Sequence, residues 1–366
     1  MNREEMSPRQ RWLAAIRLQL VDRLPFWPKL DAAYPRAQAG AFRGATLGEL
    51  HAWIGSDVHE WIRPVFREVR DRTSIEVSTQ GNLCHTAYRT PVGETALVTR
   101  FDEASQAWHP VQFPVRARED VRMMTAWFED TAVELDPDAL AQVAARRAAL
   151  GEGGLLCSSV GESPLMRWVE WIAGVENAHF FLADYPDEVE ALFAAMHRVL
   201  LDKTRVEAAH NPVDVLYLTE NTSTTLISPA QYERYCLPQI RAYGQVAASY
   251  GRLLALHMCG HLKLLLPALA ELPAHAFEAF TSPPVGNTRL AEGRAACPDK
   301  CLIGGTNAVL WTTSADEIIA EIERDLDALP HHRGIAVTSA GVMPPLCDPT
   351  TIRAVCEWVK GYPVRV

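Results

Sequence analysis

Three observations predict a (β/α)8, or TIM, barrel that takes up residues 1–366 as one domain. From about residue 120, short apolar runs alternate with helical stretches of ten residues or more. The runs are near-continuous in apolar residues, which fits parallel strands buried on both faces. Most of them end in polar or small residues, as barrel strands do where they meet the loops that carry chemistry. A doubly wound open sheet is the alternative, but the G-x-G-x-x-G turn of a dinucleotide site is absent.

Ser7 and Pro8 open an amphipathic helix over residues 7–20, with Trp12, Ile16 and Leu20 at helical spacing. Leu24-Pro25-Phe26-Trp27 reads as a buried strand, and residues 30–70 read as mixed and mostly helical. Residues 74–115 change character. Ile75–Ser78, Ala96–Arg100 and Val111–Phe113 are β-type runs, with a turn at Thr90-Pro91-Val92-Gly93. This stretch is predicted to be a β-hairpin excursion from the barrel. Helices are then expected near 118–133, 137–149, 163–172, 186–210, 229–250, 261–272, 288–297, 314–328 and 349–360. Strands are expected at Gly154–Ser158, Val213–Thr219, Leu253–His257, Ala276–Phe280, Cys301–Gly305 and Ile335–Ser339. Runs near 24–27 and 75–78 bring the strand count to about eight.

The chain carries 35 basic and 45 acidic residues, for a net charge of −10. That excess of acid argues against a nucleic-acid surface or an anionic membrane. No apolar run reaches the length of a spanning helix, and Met1–Gln10 lack the apolar core of a secretory signal, so a cytoplasmic protein is expected. Eight scattered cysteines without a Cys-x-x-Cys pair point to free thiols and a metal site rather than a disulfide framework.

The stretch Leu253–His261 organises the functional reading. His257 and Cys259 lie two apart at a strand end, so their side chains face the same side, and imidazole and thiolate are ligands that zinc prefers. Glu278 sits among Ala276, Phe277, Ala279 and Phe280 on the next strand. A carboxylate buried there needs a cation, and a shared zinc ion would supply it. Cys347, in the proline-rich loop after the last strand, is a candidate fourth ligand, with Cys157 as its rival. Glu220 and Asn307, at two other strand ends, are candidate catalytic residues facing the same cavity.

In order along the chain, Ser7-Pro8-Arg9-Gln10-Arg11-Trp12-Leu13, Asp22–Phe26, Thr90–Gly93, Ile227-Ser228-Pro229, His257-x-Cys259-Gly260, Phe277–Gly286 and Gly304–Asn307 resemble the uroporphyrinogen decarboxylase superfamily. They look most like its corrinoid:thiol methyltransferase branch. The resemblance implies zinc-dependent transfer of a methyl group between a corrinoid, borne by a separate protein, and a small thiol-type acceptor. The glutamate ligand of the related cobalamin-independent methionine synthases is similar in placement to Glu278. Two departures stand out. The arginine-rich segment of the decarboxylases is replaced by Trp27–Tyr34, which counts against a porphyrinogen substrate. Val342 also stands where the methyltransferases place a cysteine ligand. A decarboxylase-like lyase, using Arg36 and Arg43, and a non-catalytic binding barrel are the alternatives.

Overall fold

The computed structural model describes residues 5–30 and 33–366. Residues 1–4, part of the polar N-terminal stretch, and Asp31 and Ala32, within the segment Trp27–Tyr34 that stands in place of the decarboxylases' arginine-rich one, lie outside the described residues. In chain order the strands are β1 (Phe26–Trp27), β2 (Val58–Ile62), β3 (Phe66–Val69), β4 (Ser74–Gln80), β5 (Leu83–Thr90), β6 (Gly93–Asp102), β7 (Ala107–Gln112), β8 (Ala132–Leu135), β9 (Gly154–Gly161), β10 (Val215–Thr219), β11 (Leu253–His257), β12 (Ala276–Phe280), β13 (Cys301–Gly304) and β14 (Ile335–Thr338).

Eight of these form one parallel sheet in the order β1-β14-β13-β12-β11-β10-β9-β2. The two end strands, β1 and β2, are consecutive barrel staves, so the sheet curls into a nearly closed barrel. At the seam the Asp57 amide donates to Phe26 O at 2.8 Å, and Trp27 stacks on His59 with ring centroids 4.1 Å apart.

Alternation along each strand separates two cores. Leu155, Cys157, Val215, Tyr217, Ala255, Ala276, Cys301, Ile303 and Ala336 point into the barrel. Trp12, Ala15 and Ile16 of the helix Pro8–Ile16 pack with them from the N-terminal end. Leu216, Leu218, Leu254, Leu256, Phe277, Leu302 and Val337 pack outward under the helices. A buried ion cluster ties that end together. Arg11 pairs with Asp22 at 2.7 Å and Asp57 at 2.5 Å, and Arg23 pairs with Asp57 at 2.6 Å.

Most expected elements are present, including helices Pro137–Leu150, Pro186–His210, Ala315–Asp327 and Pro349–Gly361. Three expectations are corrected. The second barrel stave is Val58–Ile62, inside the stretch read as helical, and not the run at 75–78. Its inward residues, His59 and Trp61, are large and polar-edged, which hides the apolar run of a buried strand. The excursion is larger than a hairpin: β4–β7 form a four-stranded antiparallel sheet, and β3 pairs with β8 beside it. The helix expected over 261–272 shrinks to two short turns, Lys263–Leu265 and Leu266–Ala270. Among the described residues no helix is long and apolar enough to cross a membrane.

Candidate active site

The parallel register places Thr219, His257, Glu278 and Ile303 side by side across β10 to β13. His257 and Glu278 therefore occupy the same level of neighbouring strands and meet at the end of the barrel where the chain leaves each strand. His257 Nδ1 is bonded to Glu278 Oε2. The other oxygen, Oε1, accepts from Lys29 Nζ at 2.9 Å. Nδ1 and Nζ lie 3.3 Å apart, each a donor to its own oxygen of one fully buried carboxylate.

Lys29 reaches this position from the end of β1. Its backbone has φ of +48°, a left-handed conformation that costs a residue with a Cβ about 1 kcal/mol or more. Tertiary bonds hold it there: the Met343 amide donates to Lys29 O at 3.2 Å, and Ser339 Oγ donates to Pro28 O at 3.0 Å. Asn221, Ala279 and Ala340, at the ends of β10, β12 and β14, also have positive φ. Strain thus gathers at the mouth of the barrel.

Cys259 follows β11 and is half-buried. Its thiol donates to Asn221 Oδ1 at 3.4 Å and lies within hydrogen-bonding reach of His257. Gly260 lets the two loops meet, since a Cβ there would fall 2.4 Å from Thr222 O. Asn221 Nδ2 in turn donates to Glu170 Oε2 at 2.9 Å. Glu170 stands on the π-helical turn Trp168–Ile172, and its Oε1 has no partner among the described residues. The result is a polar chain running Lys29–Glu278–His257–Cys259–Asn221–Glu170.

The electrostatics follow from burial and neighbouring charge. Burial disfavours the Glu278 anion, but the Lys29 and His257 charges outweigh it and hold the carboxyl at about 2. Burial likewise disfavours the His257 cation, and Glu278 reverses this, raising the imidazole to about 9. Burial pushes the Cys259 thiol up, while hydrogen bonding and charge from His257, aided by Lys29, bring it below its ordinary value. Glu170 moves the other way. Burial, with the charge of Glu162 adding to it, raises it to about 8.

Two cavities flank this chain. One, of about 520 Å³, is lined by Glu170, Asn221, Ser223, Cys259, His261 and Val285 among others. The larger, of about 720 Å³, lies at the β1–β2 seam beside Trp27, His59 and Trp61, and reaches the cluster only through Lys29. The thiol opens into the smaller one, so the chemistry is placed there.

The structure brings His257, Cys259 and Glu278 together and leaves the other three expected residues elsewhere. Cys347 is packed in the apolar core; its sulfur faces Asp348 O at 3.9 Å, and burial first, then Asp348, raises it to about 12. The rigid loop aims it inward because Tyr34 clamps its carbonyl at 2.6 Å. Its rival Cys157 is also fully buried, with its sulfur 3.2 Å from Glu60 O. Glu220 is fully buried and takes two bonds from Ser163, from N at 2.7 Å and Oγ at 2.6 Å. Burial raises its carboxyl to about 7. Asn307 braces loops, donating to Ser282 Oγ at 3.1 Å and Pro283 O at 3.0 Å. Neither of these two residues lines either cavity. Lys29, Asn221 and Glu170 were not among the expected residues. The position of Asn221 at the end of β10 was the one signal available for it.

These residues do not fit zinc as they are arranged. Among the described residues no three His, Cys, Asp or Glu side chains form a group that could hold a metal ion. Val342 offers no donor, and Cys347 is turned away. Lys29 Nζ already lies 2.9 Å from Glu278 Oε1. A zinc ion about 2.1 Å from that oxygen would lie within about 5 Å of the ammonium, where repulsion at an effective dielectric of about 20 is roughly 7 kcal/mol.

The fold is similar to that of a methyltransferase from Methanosarcina mazei, with a TM-score of 0.60 at 13% identity over 98% of this chain and 99% of that one. A B12-independent methionine synthase from a Shewanella species, in complex with selenomethionine, matches at a TM-score of 0.43 and 12% identity over 72% of this chain and 74% of that one. At such identities the likeness concerns the fold. No curated protein matches the sequence. The uroporphyrinogen decarboxylase (URO-D) family model matches residues 152–362, which take in Glu170, Glu220, Asn221, His257, Cys259, Glu278, Asn307 and Cys347. With more than half of its length so matched, the chain belongs to the uroporphyrinogen decarboxylase family.

Proposed function

We propose that this protein is a methyltransferase that moves a methyl group between a corrinoid, carried by a separate protein, and a small thiol-type acceptor bound at the barrel mouth. The observation that carries the reading is a half-buried sulfur, Cys259, whose anion is favoured in spite of burial because His257 and Lys29 stand beside it. Such a site is suited to an anionic sulfur nucleophile, which attacks far better than the thiol.

The cavity of about 520 Å³ suits a small molecule and is too small for a corrinoid, so the carrier would remain outside. Support for that comes from the loops after β11 to β14, where Leu264, Val285, Val309, Val342 and Leu346 are exposed. Apolar side chains on successive loops at one end of a barrel favour a docked partner. When bound, a corrinoid supplies an electrophilic methyl group and keeps the electron pair of the bond that breaks.

The chain's own residues do the rest. When the Cys259 thiol has lost its proton, it takes up the proton of the acceptor thiol, leaving one anionic sulfur in the site. His257, protonated because of Glu278, and Lys29 stabilise that anion. Asn221 orients Cys259, and Glu170, protonated near neutral pH, offers a neutral O–H rather than a second negative charge. The acceptor sulfur then attacks the methyl carbon, and a carbon–sulfur bond forms as the bond to the carrier breaks.

A polycarboxylate substrate, as the lyase alternative needs, wants arginines at the mouth, and none of the described residues that line the smaller cavity is an arginine. The test is methyl transfer from methylcobalamin to a panel of small thiols, followed by the cobalamin spectrum and by mass spectrometry of the thioether. Thiol-dependent demethylation that Cys259→Ser abolishes is expected. Consumption of a carboxylated porphyrinogen, with no demethylation by any thiol, would overturn the reading.

A further inference from the structure

The feature that sets this site apart is not a sulfur or an imidazole but an ammonium. Lys29 Nζ sits 2.9 Å from Glu278 Oε1 and 3.3 Å from His257 Nδ1, with its side chain 12% exposed and the carboxylate wholly buried. The loop after β14 is the region where the resemblance places a cysteine ligand. Here it presents Val342 to solvent and spends its polar groups on the backbone of the Pro28–Lys29 turn. The same loop that would complete a metal site thus grips the residue that occupies it.

We propose that Lys29 is the permanent cation of this site, standing in for the divalent metal that the imidazole, thiol and carboxylate would otherwise share, so that the protein works without zinc. This rests on the proposed chemistry only for its purpose, since the substitution of an ammonium for a metal is a statement about binding. A buried Glu278 needs a counter-charge, and Lys29 supplies one unit of it. A single positive charge on a covalent tether cannot be lost to a chelator and does not accept a sulfur ligand. Lys29 is therefore a positioning residue: it fixes Glu278, which fixes His257.

The experiment is metal binding by the full-length wild type, Lys29→Met and Lys29→Met/Val342→Cys, with circular dichroism to confirm the fold. Zinc content is measured by elemental analysis after dialysis against buffered zinc, and Co(II) is titrated in as a spectroscopic probe of thiolate ligation. The wild type is expected to bind zinc at least about 100-fold more weakly than Lys29→Met and to show no cobalt–thiolate band. The double variant should bind zinc stoichiometrically and show that band. Stoichiometric zinc in the wild type, removed by Cys259→Ser, would overturn the proposal. So would a Lys29→Met protein, folded, that takes up no more metal than the wild type. If Lys29→Met does not fold, Lys29→Gln serves for the same comparison. The readout is separate from methyl transfer. A metal-free wild type inactive with every thiol sinks the methyltransferase reading alone, and an active zinc-loaded wild type sinks this one alone.

Discussion

Replacing Glu278 with Gln keeps the shape of the site and removes the one charge on which both Lys29 and His257 depend. As long as His257 keeps its proton, two buried cations then face each other, and breaking a buried pair in this way costs about 3–5 kcal/mol. The pH dependence of that cost gives the sharper test. In the folded wild type His257 holds its proton up to about 9, against an ordinary value of 6.5. Its contribution to stability is thus fully present below 6.5 and is lost as the pH rises through 9, a change of about 3 kcal/mol. Glu278, held at about 2 against 4.5, marks the other edge: its contribution is present above 4.5 and is lost as the pH falls towards 2. In Glu278→Gln, burial and Lys29 act on His257 against only the hydrogen bond with Cys259, so it is expected to titrate below 6.5 and the variant to gain rather than lose stability with rising pH. The stability deficit of the variant should therefore be greatest between pH 4.5 and 6.5 and shrink by about 3 kcal/mol by pH 9. Urea denaturation at pH steps, with NMR of labelled histidine to follow His257, measures both. A deficit that stays constant from pH 6.5 to 9, or a His257 that titrates alike in the two proteins, refutes the coupling.

Other perturbations separate the roles of neighbouring residues. Cys259 is expected to be the thiol most rapidly alkylated at neutral pH. Six of the eight cysteines are buried and the other half-exposed one, Cys84, lies on β5 in the excursion sheet; peptide mapping after brief iodoacetamide treatment reads this out. Glu170→Gln should flatten the alkaline side of the activity profile. Wild-type activity should fall above about 8, where Glu170 ionises beside the sulfur, and the amide cannot ionise. Asn307→Ala should lower stability by about 1–3 kcal/mol through the donors and acceptors it strands. It should leave Cys259 alkylation unchanged, because Asn307 braces loops and does not face the cavity.

The parts of this protein legible in the sequence are those where local pattern and burial agree. Ala276–Phe280 is apolar on both faces but for one glutamate, and that glutamate proved to be the centre of the site. His257 and Cys259 share a side because residues two apart on an extended chain must. The second stave escaped because the buried His59 and the exposed Trp61 take its alternate positions, where an apolar run was expected. Lys29 escaped for a different reason. Its importance comes from β1 pairing with β14, a closure of the barrel that lets the side chain of residue 29 reach across the mouth to residue 278, and no local pattern carries that. Glu170 sits on a π-helical turn whose side-chain direction differs from that of a regular helix, so helical spacing could not aim it. Cys347 misled because a rigid loop fixes direction as firmly as position, and this one points its sulfur into grease.

The sheet β4–β7 leaves the barrel after β2 and the chain returns only at β9, yet β2 and β9 are direct neighbours. Every pairing inside the β4–β7 sheet joins strands adjacent in sequence, while the β3–β8 and β2–β9 pairings must each close a loop that spans the whole of it. Loop closure of that length is slow, and short-range hairpins form first. The excursion is therefore an early-folding unit inserted into a late-closing cylinder. Amide exchange during refolding should protect Leu83–Asp102 before it protects either flanking stave, and the cylinder should lock only when these two distant segments meet.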